Sequence, residues 1–146
     1  MIRSLTFTAL LLLPSLCLAF CFEQAEQETG ISREVLMAIA KVESNFSPYA
    51  INWNRNGTYD FGLMQINSSW YKVLGHERWM MLGDACYNVR VAAWILKQCI
   101  MRYGYTWKAV GCYHSPKSSR QVIYVDKVRA VINKHRELKT LNKGGG

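Results

Sequence analysis

The sequence is short of acids. Ten Asp and Glu face eighteen Lys and Arg across 146 residues, a net charge of +8. It has three prolines, and no Pro-rich linker, internal repeat or low-complexity tract before the terminal Lys143-Gly-Gly-Gly. That excludes a repeat array and a linker between domains. No C-x-x-C spacing occurs and the three histidines are scattered, which argues against a zinc site; Cys99, Cys112 and His114 are the one grouping worth weighing. No nucleic-acid-binding motif accompanies the basic charge. What remains is half hydrophobic, with five Trp and eight Tyr, enough for the core of one domain and too little for two.

The first residues, MIRSLTFTALLLLPSLCLAF, place Arg3 ahead of an apolar run that closes on small residues around Ala19. This reads as a secretory signal peptide over 1–19, cut after Ala19. The competing reading is an uncleaved anchor, because the run from Leu5 to Phe22 approaches the ~20 residues a membrane span needs; Pro14 and the Cys17-x-Ala19 ending favour cleavage. Bulky Phe20 before Cys21 argues against a lipid anchor. Cleavage removes Cys17 and leaves Cys21, Cys86, Cys99 and Cys112, an even set that suits two disulfides in an oxidising compartment. Three connectivities are open. Cys21 to Cys86 would tie the mature N-terminus to mid-chain and Cys99 to Cys112 would staple consecutive helices, and that pair of bonds is the expectation.

Once Arg3 leaves, the net charge is +7, and the surplus is local: residues 108–143 hold nine Lys or Arg against Asp126 and Glu137. An exported basic protein is expected to meet an acidic cell-envelope polymer rather than nucleic acid. A solvated basic helix is the plain alternative for any one of these residues.

Patterning is mainly helical. A first helix covers Phe22–Thr29 and stops at Gly30. A second starts from the Ser32 cap, with Ile31 and Leu36 as a staple and Glu34 in the first turn, and ends before Pro48. A third runs from the Asp84 cap to Gly104, apolar nearly all round. A fourth starts at Thr106, and a fifth spans 120–137 with Val125, Val128 and Ile132 at helical spacing. Between the second and third, Asn54, Asn56, Gly57 and Asp60 favour turns or a small hairpin.

Residues 43–67, ESNFSPYAINWNRNGTYDFGLMQIN, contain two acids, Glu43 and Asp60. Leu36, Ile39 and Glu43 share one stripe of the second helix, so Glu43 lies on the apolar face, where burial disfavours its charged form. It is then a candidate proton donor, or else a helix-end acid turned to solvent or to the backbone of the next loop. Asp60, beside Gly and Asn, reads first as a turn residue bonded to local backbone. As a pair they match another pattern: glycosidic cleavage needs one protonated acid and one ionised acid facing a cationic sugar, the division known from lysozyme.

Glu43-Ser44-Asn45-Phe46 followed by Gly62-Leu63-Met64-Gln65-Ile66-Asn67 resembles the lytic transglycosylase signature of the soluble-transglycosylase, goose-lysozyme-like superfamily. Within it, the chain is most similar to the small exported enzymes of type III secretion and conjugation systems, from Cys21 to about Val131. The resemblance implies a mainly α, α+β lysozyme-like fold with a small hairpin or loop region beside the cleft, over residues 20–137, and a disordered tail at 138–146. It implies cleavage of the MurNAc-GlcNAc bond of peptidoglycan in the periplasm, opening the wall locally for a secretion apparatus, with no cofactor or metal. The partners implied are glycan strands and an inner-rod or other apparatus protein, met by a monomer with no lasting membrane anchor.

Residue by residue, the resemblance makes Glu43 the catalytic acid, with Ser44 orienting the sugar and Met64, Gln65 and Asn67 along the glycan. Where relatives carry Ala-Tyr-Asn-Ala-Gly, this chain has Gly111-Cys112-Tyr113-His114-Ser115, keeping Tyr113 and replacing the Asn by His114. A later motif tyrosine matches Tyr124, which as a residue on an apolar stripe also reads as core. Trp53, Trp70 and Tyr71 are candidate sugar platforms or core. Asp60 departs from typical lytic transglycosylases, which act with a single Glu; it is similar to the second acid of animal C-type lysozymes, which also follows the Glu by seventeen residues. It is expected to support an oxocarbenium-like transition state. Hydrolysis by water, or a non-cutting binding module, are the alternative functions.

Overall fold

A computed structural model describes residues 20–143; the signal peptide placed at 1–19 and residues 144–146 lie outside the described residues. Among the described residues six helices are joined by a small antiparallel sheet that lies at the edge of the helical core. Helix α1 (Phe22–Thr29) closes on Gly30, whose left-handed φ of 72° lets its N–H reach the Glu26 carbonyl. Helix α2 (Arg33–Ser44) starts where Ser32 Oγ accepts from the Glu34 N–H at 3.2 Å, with Ile31 and Leu36 fully buried as a staple. Helix α4 (Ala85–Tyr103) opens on Asp84, which accepts from the Tyr87 N–H at 2.7 Å. Its buried residues, from Asn88 to Cys99, cover a little over half of its circumference and form the centre of the core, while Arg90, Trp94 and Gln98 leave an exposed stripe where the sequence pattern suggested an apolar surface nearly all round. Helix α5 (Trp107–His114) follows Thr106, and α6 (Ser118–Lys143) packs on α5 and α2. The α6 stripe is buried as the spacing implies: Val125, Val128 and Ile132 are all at most 8 % exposed.

Two features depart from expectation. Helix α6 continues past Glu137 to Lys143, so the tail break placed at 138 falls inside a helix: no proline or glycine interrupts residues 118–143. Arg136 also fastens it, donating to both Glu34 oxygens at 3.2 and 2.9 Å. A further helix, α3 (Tyr71–Met80), lies between the sheet and α4 in sequence. None of its residues is buried and Gly75 breaks its backbone at φ 78°, ψ 169°, so no apolar stripe announces it.

The disulfides join Cys21 to Cys86 and Cys99 to Cys112. Cys99 and Cys112 are thus bonded to each other and are not ligands beside His114. Closing loops of 65 and 13 residues stabilises the fold by about 4 and about 3 kcal/mol on a chain-entropy account. Among the described residues no helix is long and apolar enough to cross a membrane.

The sheet order is β1 (Ile51–Trp53), β2 (Tyr59–Phe61), β3 (Ile66–Asn67), all antiparallel. The expected hairpin is β1–β2, turned through Asn54–Gly57, and β3 extends it. Asp60 sits on the central strand between Asn52 and Asn67.

Candidate active site

Between β2 and β3 the chain makes a tight turn at Gly62–Gln65, which sets the floor of the site. Gly62 has φ 82°, and a Cβ there would stand 2.2 Å from the Asn88 amide nitrogen, so only glycine fits. Asn88, on α4 and fully buried, holds the turn: it accepts from the Met64 N–H at 2.9 Å and donates to the Phe61 and Leu82 carbonyls at 3.3 Å. This residue was missed by sequence reasoning. The available signal was an amide inside the apolar run of α4, where a buried polar group needs partners.

The turn decides what its side chains do. Gln65 adopts a left-handed φ of 51° and is buried. Its amide donates to the Ala50 and Gly62 carbonyls at 3.0 and 2.9 Å, and its Oε1 accepts from Asn52 at 2.6 Å. Gln65 therefore borders the cleft with its hydrogen-bonding groups already engaged. Met64 is fully buried, which corrects its expected contact with glycan; its side chain packs in the core. Ser44 is engaged within the protein: its hydroxyl donates to the Leu63 carbonyl at 2.7 Å and receives the Ser47 N–H at 3.1 Å, fastening the end of α2 to the turn.

These contacts bring Glu43, the penultimate residue of α2, and Asp60 of β2 into one cleft of about 1090 Å³. Glu43 is 12 % exposed at its side chain, as its place on the apolar stripe implies, and its Oε1 lies 3.7 Å from His114 Nδ1. The His114 ring stacks on Tyr124, centroids 4.3 Å apart and planes within 3°. The Tyr124 hydroxyl is buried and close to Glu43 without a hydrogen bond of ordinary geometry. Burial first, then the Glu43 charge, pushes its pKa well above the usual phenol value. Tyr113 lines the cleft and turns its hydroxyl inward to donate to the Met64 carbonyl at 2.7 Å. Its pKa is also pushed well up, by burial first, then by Glu43 and by Asp60, so this phenol lies within the field of both carboxylates.

Asp60 is held by side-chain amides. Asn67, directly across on β3, donates to Oδ1 at 2.7 Å and Asn54 donates to Oδ2 at 2.9 Å, with Thr58 Oγ1 receiving a second bond from each amide. One donor at each oxygen matches a group that only accepts. The turn reading predicted local backbone partners, and Asp60 instead stands on a strand facing the cleft. Trp53 and Trp70 line the same cleft; Trp53, 75 % exposed, is free to stack on a ligand. Tyr71 lies outside the cleft lining, packed against Trp79 and His76.

Comparison with known proteins places the chain in a family. Residues 20–123 match the family model described as transglycosylase SLT domain. The chain is 47 % identical over 107 residues to invasion protein IagB of Salmonella typhimurium, covering 69 % of this chain and 67 % of that protein. It is 37 % identical over 121 residues to protein IpgF of Shigella flexneri, covering 79 % and 80 %. A peptidoglycan-binding-like protein of Escherichia coli O157:H7 is 28 % identical over 147 residues, 91 % of this chain and 88 % of that one. The chain belongs to the transglycosylase SLT domain family and is a peptidoglycan lytic transglycosylase.

Proposed function

We propose that Glu43 protonates the oxygen leaving C1 of N-acetylmuramic acid, and that Asp60 supports the positive charge that develops on the sugar ring. Glu43, now a carboxylate, takes the proton of the muramoyl C6 hydroxyl as O6 bonds to C1, closing a 1,6-anhydro ring and regenerating the acid without water. The observation that carries this reading is the placement of the two carboxylates in one cleft, one from a helix end and one from a strand, with the Tyr113 phenol in the field of both. Tyr113 and His114 fix the wall behind Glu43, Tyr124 supports His114 from beneath, and Asn67 holds Asp60.

Asp60 also favours a second reading, in which it shields the cation long enough for water to attack and the enzyme hydrolyses the bond. Mass spectrometry of the products separates the two. Muramoyl ends lighter by one water support the anhydro route; full-mass reducing ends alone overturn it. The signal-like N-terminus, two disulfides and likeness to a protein named for invasion support a periplasmic enzyme that opens the wall for a secretion apparatus, with a rod component as its contact. Pull-down with rod components is expected to capture the protein; absence of both binding and activation overturns that contact.

A further inference from the structure

The cleft carries more positive charge than cleavage requires. Besides Glu43 and Asp60 it is lined by Arg55 on the β1–β2 turn, Arg102 in the last turn of α4, and Lys117 and Arg120 at the opening of α6. Among the described residues none of these four forms an ion pair. Outside the cleft Arg33, Arg90 and Arg136 each hold a glutamate at 2.7, 2.9 and 2.9 Å, and Lys127 and Lys134 are among others without an ion pair, so what sets the cleft apart is the gathering of four such cations in one groove. The first turn of α6 holds Arg120 and no acid, the sign that the helix dipole disfavours. Four cations in one cleft without an ion pair, Arg102 resting only on the Tyr103 ring at 5.4 Å, point to an anion supplied from outside.

The strand of N-acetylated sugars is itself uncharged. The carboxylates of peptidoglycan hang on the peptide branch attached through the lactyl group of the muramic acid. We propose that Arg102, Lys117 and Arg120 form a subsite for the carboxylates of this branch, so that the enzyme prefers glycan that still carries its acidic stem peptides. The inference rests on the peptidoglycan reading of the cleft. Guanidinium groups suit carboxylates through paired N–H donors, and a cleft lined with one sign of charge raises the local concentration of an anionic polymer.

The test compares cleavage of peptidoglycan bearing intact stem peptides with cleavage of the same glycan stripped by an amidase, the lactyl carboxylates that hydrolysis frees being capped as methyl amides so that the stripped strand carries no charge. At low salt the wild-type enzyme is expected to cut the intact material about five to ten times faster. Raising ionic strength from about 20 to about 300 mM should bring that ratio towards one, because exposed charges are then screened. The Arg102→Gln/Lys117→Gln/Arg120→Gln variant should cut intact material no faster than stripped strands. Lys127→Gln/Lys134→Gln/Lys139→Gln, which removes as much charge from the part of α6 outside the cleft lining, should keep the preference. Equal wild-type rates on the two substrates at low salt, or a preference that survives the first triple variant, overturn the inference. Cleavage of neither substrate would instead overturn the peptidoglycan reading beneath it. If the triple variant loses its helical circular dichroism, Lys117→Gln and Arg120→Gln singly and the salt series on the wild type decide the matter.

Discussion

Asp60 and Glu43 differ in surroundings more than in chemistry. Asp60 takes one amide donor at each oxygen from Asn67 and Asn54, while Glu43 lies at 12 % exposure against an imidazole and a buried phenol. Replacing Asp60 by Asn sets an amide nitrogen against an amide donor, so one bond is lost and stability falls by about 1 kcal/mol. If the carboxylate also faces the developing charge, turnover falls about 10²-fold. Thermal melting and initial rates on purified Asp60→Asn separate these effects: a lowered melting point with wild-type turnover would make Asp60 a structural residue only. Among the aromatic residues, Tyr113 donates its hydroxyl hydrogen to the Met64 carbonyl, which leaves only the ring and the hydroxyl lone pairs for any further contact.

The α2 end and the Gly62–Gln65 turn are bound as a unit. Ser44 links α2 to Leu63, Asn88 links α4 to Met64, and Gln65 links the turn back to Ala50 and Asn52. Asn88→Leu removes the partners of a buried N–H and two carbonyls and is expected to destabilise by about 2–4 kcal/mol. Denaturant melts read this directly, and a loss under 1 kcal/mol, on the same scale, would mean that the amide is not holding the turn. The helices were legible where chain chemistry is local: Ser32, Asp84, Gly30 and Gly104 mark their ends because caps act within a few residues. Glu43 was legible for the same reason, since the register of one helix places it on the apolar face. Helix α3 was not, because only Leu74 and Trp79 pack against the core, both partly buried, and Gly75 breaks the helix between them, so no apolar stripe forms. Ser44, Met64 and Gln65 were assigned to the glycan by position. Their directions depend on a left-handed backbone at Gln65 and on Asn88, 24 residues from Met64, and neither has a mark in the motif itself.

Across the whole molecule, stability depends on pH from both sides. The Arg136 guanidinium holds Glu34 below its ordinary value of 4.5. The stabilisation from that α2–α6 pair is present above the unfolded-state value and is lost as pH falls through the lowered one. The buried Tyr113 and Tyr124 phenols bind their protons more tightly folded than unfolded. Their contribution is complete below the ordinary phenol value of 10.0 and is lost as pH rises beyond it towards the raised values. Melting temperature should therefore fall above about pH 10, and in Tyr113→Phe/Tyr124→Phe that alkaline fall should be shallower. An unchanged alkaline limb in the double variant would remove the tyrosines as its cause.

At the same scale, two disulfides and α4 carry a frame whose purpose is to bring a helix end and a strand into one groove. The most direct measurement is the rate at which purified Glu43→Gln releases soluble fragments from peptidoglycan, beside wild type and with circular dichroism confirming the fold. A rate lower by about 10²–10⁴-fold on an intact fold is the expected result, the range a positioned proton donor contributes. Release at the wild-type rate would contradict the assignment of Glu43 as the acid that cuts the glycan.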